Sequence, residues 1–188
     1  ATWSKIKADI LREVSAYHHK QPLRRGMPRE ELKSRLRIAT RAFNASLGLI
    51  SAEGLLLDQE ALVRLPQHEI RFTPGQQKRV DELLELFAAQ PAAPPSVKES
   101  QALVGEDVYQ ALLDLGALVQ VSPDVVFTTD AYREMIASIK QMILANGPIT
   151  AAEVRDHFGT SRKYVLALLE HLDSVGVTIR AGDARRLK

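Results

Sequence analysis

Apolar residues recur along this chain in blocks at helical spacing, and each group of blocks ends in a brief alternating segment. Near the C-terminus, Tyr132, Met135, Ile136, Ile139, Met142 and Ile143 mark one helix face, which stops at Asn146, Gly147 and Pro148. Thr150 and Glu153 have capping-box spacing and open a short helix that ends near Phe158 and Gly159. A longer helix follows, apolar at Val165, Leu168, Leu169 and Leu172. Two short strands then alternate around a turn at Ala181, Gly182 and Asp183.

The same order occurs twice upstream. Val80, Leu83, Leu84, Leu86 and Phe87 predict a helix ended by the Pro-rich residues 91–95. Ser96 and Glu99 cap the next helix, another covers residues 107–115, and a hairpin turns at Ser122, Pro123 and Asp124. The first copy has Ile6, Ile10, Val14 and Tyr17 on one helix face, a short helix over residues 29–36 and a third over residues 40–49. Leu55, Leu56 and Leu57, then residues 61–65, read as its strands. The predicted class is mainly α with small β-hairpins, arranged as tandem winged-helix repeats over residues 1–72, 73–130 and 131–188.

Composition narrows what such repeats can do. The 188 residues include no cysteine, which excludes a disulfide framework and fits a reducing compartment. No apolar run is long enough to span a membrane, and the first residues carry no signal-peptide core. The absence of an initiator Met leads us to expect a fragment of a longer protein. Net charge is only +2, but unevenly spread. The first repeat has 13 basic and 8 acidic residues, the middle one 3 and 9, the last 9 and 6. A polyanion would avoid the middle and favour the ends.

Candidate chemistry concentrates in the last repeat. Ser161, Arg162, Lys163 and Tyr164 open its long helix, and Arg180, Asp183, Arg185 and Arg186 lie in its hairpin. A winged helix sets these two elements side by side, facing one nucleic acid. A carboxylate among arginines repels phosphate, so Asp183 makes sense as an acceptor for a base edge, such as guanine N1–H and N2–H₂. In the middle repeat Glu106, Asp107, Val108 and Tyr109 hold the corresponding place, with the opposite charge. His18 and His19 are adjacent on a helix and point about 100° apart, so they read as surface histidines and not a metal pair. Arg24, Arg25, Gly26, Met27, Pro28 and Arg29 form either a phosphate contact or a solvated basic loop. Neither phosphate-cradling glycine pattern is present, and no catalytic set or metal site is suggested by spacing.

Gly159, Thr160, Ser161, Arg162, Lys163 and Tyr164, with Leu168, Leu169, Glu170, His171, Leu172 and Asp173 and then Val177, Thr178, Arg180, Gly182, Asp183 and Arg185, resemble the C-terminal winged-helix region of the bacterial selenocysteine-specific translation elongation factor. Pro22, Leu23, Arg24, Gly26, Met27, Pro28, Arg29, Glu30, Glu31 and Leu32 resemble an earlier repeat of the same family. The resemblance implies an mRNA-hairpin binder, acting at a selenocysteine-insertion element beside a UGA codon. It marks Ser161, Arg162, Lys163, Tyr164, Arg180, Asp183 and Arg185 as RNA-facing; Arg186 joins them by charge. It further implies a GTPase module, with GTP and Mg, elsewhere in the full-length factor. This chain is expected to be non-enzymatic, free of cofactors, monomeric and cytoplasmic. Ribosome and selenocysteinyl-tRNA are expected partners through the full factor. Four repeats are usual and this chain reads as three, so it is expected to begin after the first.

The third repeat alone is expected to hold the RNA site, with the others as spacer and relay. A DNA-binding regulator is the alternative, but the long helix carries no cation beyond Lys163. A pure protein-interaction scaffold suits the acidic middle and not the basic hairpin.

Overall fold

The computed structural model describes residues 3–59 and 61–188. Ala1 and Thr2, part of the stretch read for a signal segment, lie outside the described residues, as does Glu60. The chain divides into two compact units at Phe72 and Thr73. The middle and last repeats lie together in the second unit.

The first unit begins with helix α1 (Trp3–Lys20), strand β1 (Met27–Pro28) and helix α2 (Arg29–Leu36). Helix α3 (Thr40–Ala52) and strands β2 (Leu57–Gln59) and β3 (Leu62–Arg64) complete it. The sheet order is β1-β3-β2, all antiparallel. Two-residue strands such as β1 have no period to read, so sequence patterning anticipates only the hairpin. Gly26 is required just before β1, because a Cβ there would stand 2.8 Å from the Val63 carbonyl oxygen. The core joins Ile10 and Val14 of α1 to Leu32, Phe43, Leu47 and Ile50, closed by Met27, Leu56 and Val63.

His18 departs from the surface reading. It is buried at the end of α1, with its ring stacked on His68 at 3.6 Å. Its Nε2 accepts from the Leu65 backbone N–H at 3.2 Å, which places the ring proton on Nδ1, where it finds no partner. Burial, and then the neighbouring His68 and Arg64, push its pKa down to about 4. His19 is exposed, as expected.

In the second unit, α4 (Pro74–Ala89) is followed by α5 (Val97–Val104), α6 (Glu106–Asp114) and the hairpin β4 (Leu118–Gln120) and β5 (Val126–Thr128). Ser96 and Glu99 form the anticipated capping box on α5. Val80, Leu83 and Phe87 of α4 are buried; Leu86, among the residues that predict this helix, is exposed. The middle sheet has two strands only. The segment that precedes α5 contains Pro94 and Pro95, which have no N–H to donate to a third strand.

The last repeat runs through α7 (Thr129–Asn146), β6 (Ile149–Thr150), α8 (Ala151–Phe158), α9 (Arg162–Ser174), β7 (Thr178–Ala181) and β8 (Ala184–Leu187). Its sheet order, β6-β8-β7, repeats that of the first unit. Thr150 and Glu153 form the capping box on α8. The core combines Ile139 and Ile143 of α7 with Val154, Val165, Leu168, Leu169 and Leu172. Val125 and Phe127 of the middle repeat belong to the same cluster, so the middle repeat contributes to this core.

Candidate nucleic-acid interface

Helix α9 is turned by its apolar stripe. With Val165, Leu168, Leu169 and Leu172 buried, Arg162, Leu166 and Glu170 recur at four-residue spacing along a groove-facing side. The groove has a volume of ≈ 280 Å³ and lies between this side, the start of α8 and the β7–β8 wing. Four arginines line it: Arg155 and Arg162 from the helices, Arg180 and Arg185 from the wing. Asp183, at the wing's turn, lines it too.

The wing is fixed to α9 by one carboxylate. Asp173, in the last turn of α9, accepts from the Thr178 hydroxyl at 2.6 Å and from Arg185 Nε at 3.1 Å. Thr178 and Arg185 are both buried. Arg180 lies opposite Arg185 in the ladder, so their side chains share a face of the wing. Ile179 and Arg186, the next pair, stand on the other face and are exposed. Arg180 donates from Nε to the Gly182 carbonyl at 3.0 Å, an in-wing contact that aims its guanidinium.

The eight expected residues therefore divide. Arg162, Arg180, Asp183 and Arg185 meet at the groove. Ser161 and Lys163 are exposed at the start of α9, and Lys163 Nζ lies 5.8 Å from the Tyr164 ring centre. Arg186 faces away from Arg185. Two of the expected residues make hydrogen bonds to other segments of the protein. Arg185 is only 4 % exposed and is committed to Asp173 through Nε. Tyr164 turns toward the middle repeat: it packs on the cluster that includes Val125 and Phe127, and its hydroxyl donates to the Pro94 carbonyl at 2.8 Å. The Thr160 hydroxyl donates to the Ala92 carbonyl from the same turn. Residues 91–95 thus form a floor beneath the start of α9.

Sequence reading missed Arg155 and this floor, and gave Asp173 a place in the family motif without a role. Arg155 sits on a short helix whose Nε and Nη2 contacts to Asp156 look like an ordinary surface pair. Asp173 lies far enough from the wing in sequence that no periodicity connects them. In the first repeat, Arg29 of the basic loop is spent internally. It donates to both Asp58 carboxylate oxygens at 2.8 Å and to Asn44 at 3.0 Å.

A domain family described as "Elongation factor SelB, winged helix" matches residues 11–65, and a second of the same description matches residues 141–187. Together they span more than half of the chain. The chain belongs to the SelB family. The selenocysteine-specific elongation factor of Desulfomicrobium baculatum is 26% identical over 187 residues, covering 95% of this chain and 29% of the relative. That of Escherichia coli K12 is also 26% identical, covering all of this chain and 31% of the relative. The chain spans about a third of the length of these SelB relatives. Among solved structures, the mRNA-binding domain of E. coli SelB in complex with SECIS RNA matches with a TM-score of 0.51 and 24% identity. It covers 62% of this chain and 99% of that one. A bacterial EF-Sec crystal structure matches 99% of this chain and 30% of its own, with a TM-score of 0.56 and 14% identity. These two likenesses support the tandem winged-helix fold of the SelB region described above.

Proposed function

We propose that this chain binds an mRNA hairpin, the selenocysteine-insertion element, through its last repeat. In doing so it tethers a selenocysteine-specific elongation factor beside a UGA codon. The observation that carries the reading is the groove where Arg162, Arg180 and Asp183 converge, in a chain of the SelB family. A groove with both cations and a carboxylate suits RNA loops better than duplex backbone. Arg162, Lys163 and Arg186 neutralise phosphates flanking the loop, and Ser161 adds a hydroxyl at the helix start. Arg180 and Asp183 offer donors and an acceptor to the edges of an unstacked base. Arg185 acts from beneath, holding the wing.

The comparison with DNA-binding winged helices works against a duplex-reading role. Beyond Lys163, the groove side of α9 presents Leu166 and Glu170, which do not suit a major groove. The site itself is one of binding: GTP, Mg and hydrolysis belong, in this reading, to another module of the full-length factor. Ribosome and selenocysteinyl-tRNA are engaged through that factor, in the cytoplasm. Among the described residues, no helix is long and apolar enough to cross a membrane.

The test is a filter-binding comparison of a bulged RNA hairpin, the same stem with its loop replaced, and duplex DNA of equal length. Preference for the intact hairpin is expected. Equal binding of all three would overturn the reading.

A further inference from the structure

The first unit repeats the layout of the last, and the ladder registers allow a residue-by-residue comparison. In the last repeat, Arg185 of β8 lies between Ile149 of β6 and Arg180 of β7. In the first, Val63 of β3 lies between Met27 of β1 and Asp58 of β2. Asp58 thus occupies the place of Arg180. Arg29, the first residue of α2, has the place of Ala151; Asn44, the fifth of α3, has that of Leu166. The Arg29 guanidinium bonds both Asp58 and Asn44. The groove that is open in the last repeat is crossed here by the protein's own ion pair, so no base can be read there.

The charge left over lies outside that clasp. Every described carboxylate of the first unit is engaged in an ion pair within the unit. Asp9 and Glu13 meet Arg12, Glu30 meets Lys33, Glu31 meets Arg35, Glu53 meets Lys7, Asp58 meets Arg29 and Glu69 meets Arg71. Arg25, Arg37 and Arg41 are exposed and have no such partner among the described residues. They stand in the segments framing α2: the loop before it, the turn after it and the first turn of α3. Arg41 has the place that Lys163 has in α9. Arg37 holds a left-handed conformation (φ 53°) at the turn where the last repeat has Gly159 (φ 58°). The larger side chain is kept there although glycine would fit with less strain.

We infer that the first unit carries a second nucleic-acid contact, in which Arg25, Arg37 and Arg41 bind the phosphate backbone of RNA without reading its sequence. An extended polyanion can touch spaced cations, and counterion release favours each contact. The closed groove explains why this surface adds affinity and no base discrimination. This inference rests on the proposed RNA-binding role of the chain, yet it concerns different residues.

The experiment uses the full chain with the last repeat disabled by Arg162→Ala, Lys163→Ala and Arg186→Ala, and a poly(U) oligonucleotide as the probe. Residual, salt-sensitive binding is expected. Adding Arg25→Ala, Arg37→Ala and Arg41→Ala should abolish it, and each of these changes made singly should lower the log–log salt slope by about 0.7, the value for one phosphate of a single strand. Replacing the same three by Lys should restore binding, because charge and not shape is required. Absence of residual binding, or residual binding that survives the added alanines, overturns the inference. Wild-type discrimination between hairpins is measured separately. If it is intact while poly(U) binding ignores the first unit, this inference alone fails. If it is lost while poly(U) binding persists, the last-repeat reading fails.

Discussion

At the scale of single residues, like charges in this protein do unlike work. Arg162 is exposed at the groove, whereas Arg185 is buried against Asp173 and the half-buried Arg29 is paired with Asp58. Asp183 faces the groove among arginines, so its contribution to RNA binding can only be as an acceptor. Asp183→Ala is expected to lose ~1–3 kcal/mol of discrimination for the correct loop base, the scale of a good base-edge contact. Its affinity for unrelated RNA should hold or rise. Binding constants for the cognate hairpin and single-base loop variants at fixed salt check this; an equal change for all of them would remove Asp183 as a reader. His18 makes a second residue-scale prediction. Its folded pKa, about 4, lies below the ordinary 6.5, so the unfolded chain takes up the proton first as pH falls. Its contribution is complete above pH 6.5 and lost progressively down to about 4. Denaturant melts of the wild type should show stability falling across that window. In a His18→Gln variant, less stable throughout, this pH dependence should be flatter.

At the scale of elements, the wing is held by a side chain of the helix it accompanies. Asp173 joins α9 to both β7 and β8 through Thr178 and Arg185. Removing it leaves the Arg185 charge buried without a partner, which costs about 3–5 kcal/mol. Asp173→Ala should therefore lower the thermal midpoint of the second unit and weaken hairpin RNA binding together. Arg185→Met in the Asp173→Ala background should recover stability without recovering RNA discrimination, since no charge remains to orient the wing. Melting curves and hairpin titrations on the single and double variants separate the two effects. By the same element logic α6 is expected to make no RNA contact. Its first, fifth and ninth residues, Glu106, Gln110 and Asp114, hold the positions of Arg162, Leu166 and Glu170 in α9, and Gln110 donates to Asp114 at 2.9 Å.

At the scale of the whole molecule, the last repeat does not stand by itself. The middle repeat supplies Val125 and Phe127 to its core and carbonyls of Ala92 and Pro94 to Thr160 and Tyr164. A fragment of residues 131–188 loses both hydrogen bonds under the start of α9. It should bind the hairpin roughly ten- to a hundredfold more weakly than residues 73–188, from two bonds of about 0.5–1.5 kcal/mol each. Equal affinities of the two fragments, each checked for helicity by circular dichroism, would show that the floor is dispensable. The expected cations are in the third repeat, and the second repeat supports the start of α9.

Periodicity and capping were enough to determine the helices, because these are local: a 3.6-residue stripe and a Ser or Thr three residues before Glu need no distant partner. Charge order was enough to single out α9 and the wing. What only the tertiary structure decided are contacts between residues far apart in sequence. The two-residue strands β1 and β6 exist through pairing with β3 and β8, which no local pattern records. His18 is buried because His68 and Leu65 close over it. The family resemblance marks Arg185 and Tyr164 as RNA-facing; only the pleat of β8 and the turn of α9 give Arg185 Nε its bond to Asp173 and the Tyr164 hydroxyl its bond to Pro94. A one-residue step along a strand, or 100° around a helix, separates a side chain that meets solvent from one that meets the protein, and the sequence does not state which neighbour waits on either side.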